Sequence, residues 1–275
     1  MKRTAWVLAL LAPLVLCPAA ASWGTNAQRL IASKAVETLP FELRGFYQSR
    51  RDGILAAVSN SMDAIERDPN QLRYHVLYLN RYSPFPYDQI PRDYKAALGK
   101  YGRLKLESAG LLPWQVGVYS QKLTDAFRKS DWEGVRVNSA LLASFVAEAH
   151  DPFNMVEVKD PRTGTPEGIQ DRFSKNLVER YSNFFPMRPN DAYFISDPTV
   201  TAFEDCFSAH SWIEIIEQAD RRSRWGLSQY TDEYYDRFYN TVGAVLIRQL
   251  SDASTQVGSF WLTAWTNAGK PQLPQ

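Results

Sequence analysis

Histidine and cysteine are both scarce in this chain of 275 residues: three histidines, His75, His150 and His210, and two cysteines, Cys17 and Cys206. A histidine-rich metal cluster or a hydrolytic triad has only those three imidazoles to draw on, and no motif supplies any of them with a catalytic partner. An excess of charge is missing as well. The chain holds 31 Lys and Arg against 30 Asp and Glu, so nothing in the balance points to strong nucleic-acid binding. No Gly-rich loop sits between a strand and a helix to cradle a phosphate, and no Gly-x-Ser-x-Gly elbow is present. No alternating run reads convincingly as a strand, and there is neither a tandem repeat nor a low-complexity tract.

Long apolar runs are confined to the start. Trp6 to Leu16 is preceded by Lys2 and Arg3 and followed by the small residues Ala19, Ala20, Ala21 and Ser22. That is the layout of a secretory signal peptide over residues 1–22, too short to span a bilayer. Residues 23–275 then form one exported domain, periplasmic or secreted, with no transmembrane segment. Cleavage is expected between Ser22 and Trp23. Leu14-Val15-Leu16-Cys17 loosely resembles a lipidation box, but Leu16 stands where a small residue is wanted, which argues against a lipoprotein. The mature chain keeps only Cys206, so an internal disulfide is excluded. Cys206 also shows no cue for activation.

What is present is helical periodicity. Val242, Val245, Leu246, Leu250, Ala253, Val257, Phe260, Trp261, Ala264 and Trp265 recur at steps of three and four, the mark of one buried helical face. Val135, Leu141, Leu142, Phe145, Val146 and Ala149 mark a second helix, ended at His150-Asp151-Pro152 because proline cannot continue it. Further helices are expected near 25–38, 41–66, 92–108, 114–129, 168–183, 199–223 and 230–240. Pro84, Pro86 and Pro91 predict an extended loop, and two more loops are expected over 154–166 and 186–198. The fold class is all-α, a single-domain helical bundle.

Several ordered blocks carry a resemblance. Trp23-Gly24, Asp63 in Met62-Asp63 and His75 in Arg73-Tyr74-His75 come first. The block from Leu142 to Asn154, containing Ser144, Glu148, His150 and Pro152, follows a His-Tyr-x-x-Asp-x-His-x-Pro-Leu-His pattern. Gly168-Ile169-Gln170-Asp171-Arg172-Phe173-Ser174 follows Gly-x-His-x-Arg-Phe-Glu, and the ending Ala264-Trp265-Thr266-Asn267-Ala268-Gly269-Lys270-Pro271 completes the series. Together they resemble the zinc-dependent phospholipase C and single-strand-specific nuclease superfamily over essentially the whole mature chain.

The resemblance implies a helical fold and a three-zinc cluster that polarises a phosphodiester and generates a bound hydroxide. It places ligand positions at Trp23, Gln28, Asp63, His75, Ser144, Glu148, Asn154, Gln170 and Ser174. Five of these hold Gln, Ser, Asn, Gln and Ser, and neutral hydroxyls and carboxamides are poor zinc ligands. Either no zinc remains, or a single one is left on Asp63, His75 and Glu148, with Ser144 or water in the fourth place. The alternative for that trio is a buried ion-pair and hydrogen-bond cluster, favoured because metal affinity collapses as ligands are lost.

Other polar and aromatic residues read structurally. His210 falls at helical spacing from Phe203, Phe207 and Ile213, so a core or partly buried histidine is expected. His150 sits at a helix C-terminus, where its charge suits the dipole. Trp114, Trp212 and Trp225 read as packing, and Asp220, Arg221 and Arg222 as a solvated helix face. Three functions stay open. One is a degenerate, non-catalytic relative binding a small ligand or protein partner in the former active-site cleft. Another is a phosphate-ester hydrolase using the single residual metal, and the third is a helical interaction scaffold.

Overall fold

A computed structural model describes residues 23–157 and 165–274; the signal-peptide and Cys17 readings, and most of the loop expected over 154–166, lie outside them. The described residues form helices joined by turns and loops, with no strand among them. The helices are α1 (Thr25–Thr38), α2 (Phe41–Ser49), α3 (Arg51–Arg67), α4 (Tyr94–Tyr101), α5 (Arg103–Ala109), α6 (Leu112–Arg128) and α7 (Trp132–Ala149). They continue with α8 (Leu177–Tyr181), α9 (Pro198–His210), α10 (Ile213–Arg224) and α11 (Asp232–Asn267). None of the described helices is long and apolar enough to cross a membrane.

The expected segments hold, but several divide or fuse. The expected helix over 41–66 breaks at Arg50, whose φ of −112° and ψ of 5° leave the helical basin. That over 92–108 breaks at Gly102, whose φ of 75° suits a residue without Cβ. The one over 199–223 breaks at Ser211-Trp212, dividing α9 from α10. Residues 230–240 and 242–265 merge instead into α11, 36 residues long and so about 54 Å end to end at 1.5 Å per residue.

Helix α7 sits at the centre, packed by α1, α3, α6, α9 and α11. That placement explains why it buries polar as well as apolar positions. Trp261 of α11 stacks on Tyr47 of α2 with ring centroids 4.4 Å apart, and its indole N–H donates to the Ser139 carbonyl at 3.0 Å. Tyr47 reaches the Ser139 hydroxyl at 2.9 Å, so both large aromatics bury with their polar ends paired.

The proline-bounded loop over 186–198 is extended and lies along α11 in a regular way. Backbone N–H groups of Arg188, Asn190, Tyr193 and Ile195 donate to the hydroxyls of Ser251, Thr255, Ser259 and Thr263. Those four positions are spaced by four, one face of a helix. Thr38 ties the same segment to α1, its carbonyl accepting from Ala192 N at 2.9 Å. Thr38 also meets Gly258, where a Cβ would stand 2.0 Å from the threonine Oγ1, so the α1–α11 crossing requires glycine. A hydroxyl every fourth residue thus supplies acceptors to a loop that has no strand partner.

The segment then turns into α9 through Asp197, whose carboxylate accepts from Thr199 N and Val200 N, both at 3.0 Å, with Pro198 in the first turn. Asp197→Ala is expected to cost about 1 kcal/mol. The measurement is the urea midpoint at unchanged slope, and an unaltered midpoint would show that the cap contributes nothing.

Candidate functional site

The site begins with two residues of α7 placed one turn apart, Ser144 and Glu148, on the same face of the central helix. Glu148 is fully buried. A buried carboxylate requires partners, and it has them. Gln28 of α1 donates from Nε2 to Oε1 at 3.3 Å, and His75 donates from Nδ1 to Oε2 at 2.6 Å. The His75 ring lies against Phe145, centroids 4.8 Å apart, which fixes its plane. The backbone carbonyl of Glu148 accepts from Asn154 Nδ2 at 3.2 Å, and Asn154 Oδ1 accepts from Gln170 Nε2 at 3.0 Å.

Trp23 closes one side. It is fully buried, donates its indole N–H to the Ala147 carbonyl at 2.8 Å, and lies beside Phe173. Ser174 is buried next to Phe173 in a wide-turn π-helix, Asp171–Asn176, which turns Arg172, Phe173 and Ser174 inward in succession. The expected helix over 168–183 therefore opens with a π-turn before α8. Eight of the nine positions singled out in the sequence are therefore buried: Trp23, Gln28, His75, Ser144, Glu148, Asn154, Gln170 and Ser174, none above 8 % exposed. They face the interior rather than an open cleft.

Asp63 is the exception. It is exposed on α3, where its backbone carbonyl accepts from Arg67 Nε at 2.9 Å. The geometric reason lies two residues earlier. Ser61 meets Ser144 with the hydroxyl oxygens 3.0 Å apart, and residues two apart on a helix point about 200° away from each other. The structure thus joins His75 to Glu148 and leaves Asp63 outside. Among the described residues no group of three or more His, Cys, Asp or Glu is gathered as a metal site. The donor set fits a zinc ion poorly: His75 and Glu148 are already bonded to each other, Asp151 caps a turn with one of its oxygens, and the groups around them are neutral amides and hydroxyls.

Sequence reading passed over Asp151, the residue that contributes most to the electrostatics. It is fully buried and its Oδ1 accepts from Phe153 N at 3.0 Å, capping the turn Pro152–Asn154. Burial pushes its carboxyl up to about 7, and the negative charge of Glu148 adds to that. The nearby Ser174 and Gln170 side chains pull in the opposite direction, yet Asp151 Oδ2 and Ser174 Oγ close no hydrogen bond among the described residues. Gln28 Oε1 is in the same condition. The signal that could have found Asp151 is its place before Pro152, an Asx cap at a buried helix end.

The remaining candidates separate clearly. His150 donates from Nδ1 to the Val146 carbonyl at 2.9 Å and turns Nε2 toward Asp205, 3.8 Å away, so it finishes α7 rather than binding a ligand. Burial raises Asp205 to about 6, and the same effect raises the Cys206 thiol well above its ordinary range. His210 is partly buried against Tyr87, and burial lowers its pKa. Trp114 packs on Phe203 at 5.0 Å and donates to the Arg92 carbonyl at 2.8 Å. Trp225, by contrast, is 83 % exposed.

Asp220 corrects the solvated-face reading: it is 3 % exposed and accepts from Arg172 Nε at 2.8 Å, while Arg221 and Arg222 do face solvent. The partner lies 48 residues away, which no local pattern reveals. No protein-family model matches the chain, and a search of curated proteins finds no match.

Proposed function

We propose that the chain is a degenerate, non-catalytic relative of the zinc-dependent phospholipase C and nuclease superfamily, exported and engaging a ligand or partner without metal chemistry. What supports this reading is one convergence. Residues drawn from α1, α7, the Pro69–Tyr74 turn, the Pro152–Asn154 turn and the π-helix are the ones the ordered resemblance selects, and they meet around Glu148. Their present chemistry is hydrogen bonding, with an imidazole and carboxamides serving the Glu148 carboxylate and backbone in place of ligation. The one-metal hydrolase needs Asp63 beside His75 and Glu148, and the exposed position of Asp63 speaks against it.

The test is to restore the family residues together: Gln28, Ser144, Asn154 and Gln170 to His, Ser174 to Glu, and Glu148 to Asp. Elemental analysis of the purified mature protein is expected to find little zinc in the parent and bound zinc in the six-residue variant, with single restorations gaining almost none. Near-stoichiometric zinc in the parent would overturn the reading. So would a folded six-residue variant that takes up no more zinc than its parent.

A further inference from the structure

The turn Pro69–Tyr74, the stretch through Val76 and Tyr78, and α5 border an open recess of about 240 Å³. At about 30 Å³ per water molecule, that is room on the order of eight waters. Its walls are set by the backbone. Leu111 N donates to the Arg73 carbonyl at 2.7 Å, Leu112 N to the Val76 carbonyl at 3.2 Å, and Tyr78 N to the Ala109 carbonyl at 2.6 Å. Gly110 joins them at φ 101°, and a Cβ there would stand 2.1 Å from the Val76 carbonyl oxygen. The recess is therefore preformed.

Two opposite charges face it. Arg73 Nη1 and Glu107 Oε2 stand 3.6 Å apart, beyond hydrogen-bond range, with the side chains 33 % and 35 % exposed. The Arg73 guanidinium donates no hydrogen bond among the described residues, and its Nε is buried without a partner. The guanidinium lies over the Tyr74 ring, 4.9 Å from the centroid, which orients it. Leu72, Val76 and Tyr78 provide the apolar lining. A loosely paired cation and anion, each still able to hydrogen-bond, match a small molecule that carries both charges close together.

We propose that this recess binds a small amino-acid-like zwitterion, its carboxylate on the exposed Arg73 Nη groups, its ammonium on Glu107 and its apolar part against Leu72, Val76 and Tyr78. A lone anion would meet Glu107 and a lone cation would meet Arg73, so either singly charged ligand gains one contact and suffers one repulsion. The proposal is independent of the superfamily reading, since none of these residues belongs to the Glu148 cluster.

The test is calorimetric titration of the mature protein with glycine, L-valine and L-leucine, followed by two analogues of L-leucine, 4-methylpentanoate and 3-methylbutylamine. At least one amino acid is expected to bind, and each singly charged analogue of leucine to bind about tenfold more weakly or worse than leucine, the loss of one charge-assisted contact. Arg73→Met and Glu107→Gln are each expected to weaken amino-acid binding by a similar factor, with the circular-dichroism spectrum and melting temperature of each variant showing an intact fold. Absence of binding by all three amino acids at millimolar concentration would overturn the proposal. Equal binding of leucine and 4-methylpentanoate would overturn it too, leaving a simple anion site, as would amino-acid binding unchanged in both folded variants.

Discussion

Arg172→Leu is expected to lower the unfolding free energy by about 3–5 kcal/mol, the largest loss from any single substitution considered for this chain. The guanidinium is buried and donates from Nε to Asp220 Oδ1 at 2.8 Å and from Nη1 to the Glu167 carbonyl at 2.8 Å, while its face lies 4.1 Å from the Tyr230 ring centroid. Tyr234 donates its hydroxyl to the same Asp220 oxygen. Removing the arginine leaves a carboxylate in the interior with one neutral donor, and most of the expected loss is the cost of that orphaned charge rather than the worth of the pair. A double-mutant cycle separates the two. Arg172→Leu with Asp220→Leu should recover a large part of the loss, because two apolar side chains need no partners. Urea unfolding supplies the numbers. A single-variant loss below about 1 kcal/mol would mean that solvent reaches the pair and that it behaves as a surface ion pair.

The same pair marks where sequence reading stops. Asp220 precedes Arg221 and Arg222, and three charged residues in a row look like a solvated helix face. Only the fold brings Arg172 to one of them. Helix existence was legible because apolar residues recur every three or four positions, but the divisions were not called. The expected helix over 92–108 ran through Gly102, whose positive φ breaks it, and Arg50 and Ser211-Trp212 carry no comparable mark. The hydroxyl series Ser251, Thr255, Ser259 and Thr263 went unread, because the loop it serves is more than sixty residues away in sequence.

In the candidate site, eight of the nine positions picked by resemblance are buried, and Gln28, His75, Asn154 and Gln170 bond at or next to Glu148. Asp63 lies apart from them, because two residues on α3 separate the face that meets Ser144 from the opposite one. Asp151 was not among those positions, since the electrostatic cost of burying a carboxylate is a property of the surroundings and not of the motif. That cost has a measurable consequence.

Stability is expected to fall as pH rises from about 4 to about 7, and Asp151→Asn is expected to remove most of that fall. In the unfolded chain an aspartate ionises near 3.9. In the folded chain burial holds the Asp151 carboxyl up to about 7, with the charge of Glu148 acting in the same direction. Between those two values the native state binds more protons than the unfolded state, so stability must decline with rising pH across that window and level off above it. For a fully buried group the displacement corresponds to a few kcal/mol as an order of magnitude, about 1.4 kcal/mol for each pH unit between the two pKa values.

Asp205, raised to about 6 by burial, adds a smaller decline of the same sign. His210, whose pKa burial lowers, works the other way: its neutral native form gains relative to the unfolded state as pH rises through the ordinary histidine range. Neither enters the difference between the parent and Asp151→Asn. The asparagine keeps an oxygen that can accept from Phe153 N, so the turn Pro152–Asn154 retains its cap. Melting temperatures of both proteins at about pH 4.5, 6 and 8 decide the matter, in the window that linkage defines. The variant should match or fall slightly below the parent at the acid end and exceed it clearly at the alkaline end. Parallel curves for the two proteins, or a variant less stable than the parent at about pH 8, would show that the Asp151 carboxylate ionises at no cost in the interior and that its surroundings are more polar than the burial of Glu148, Asn154 and Ser174 implies.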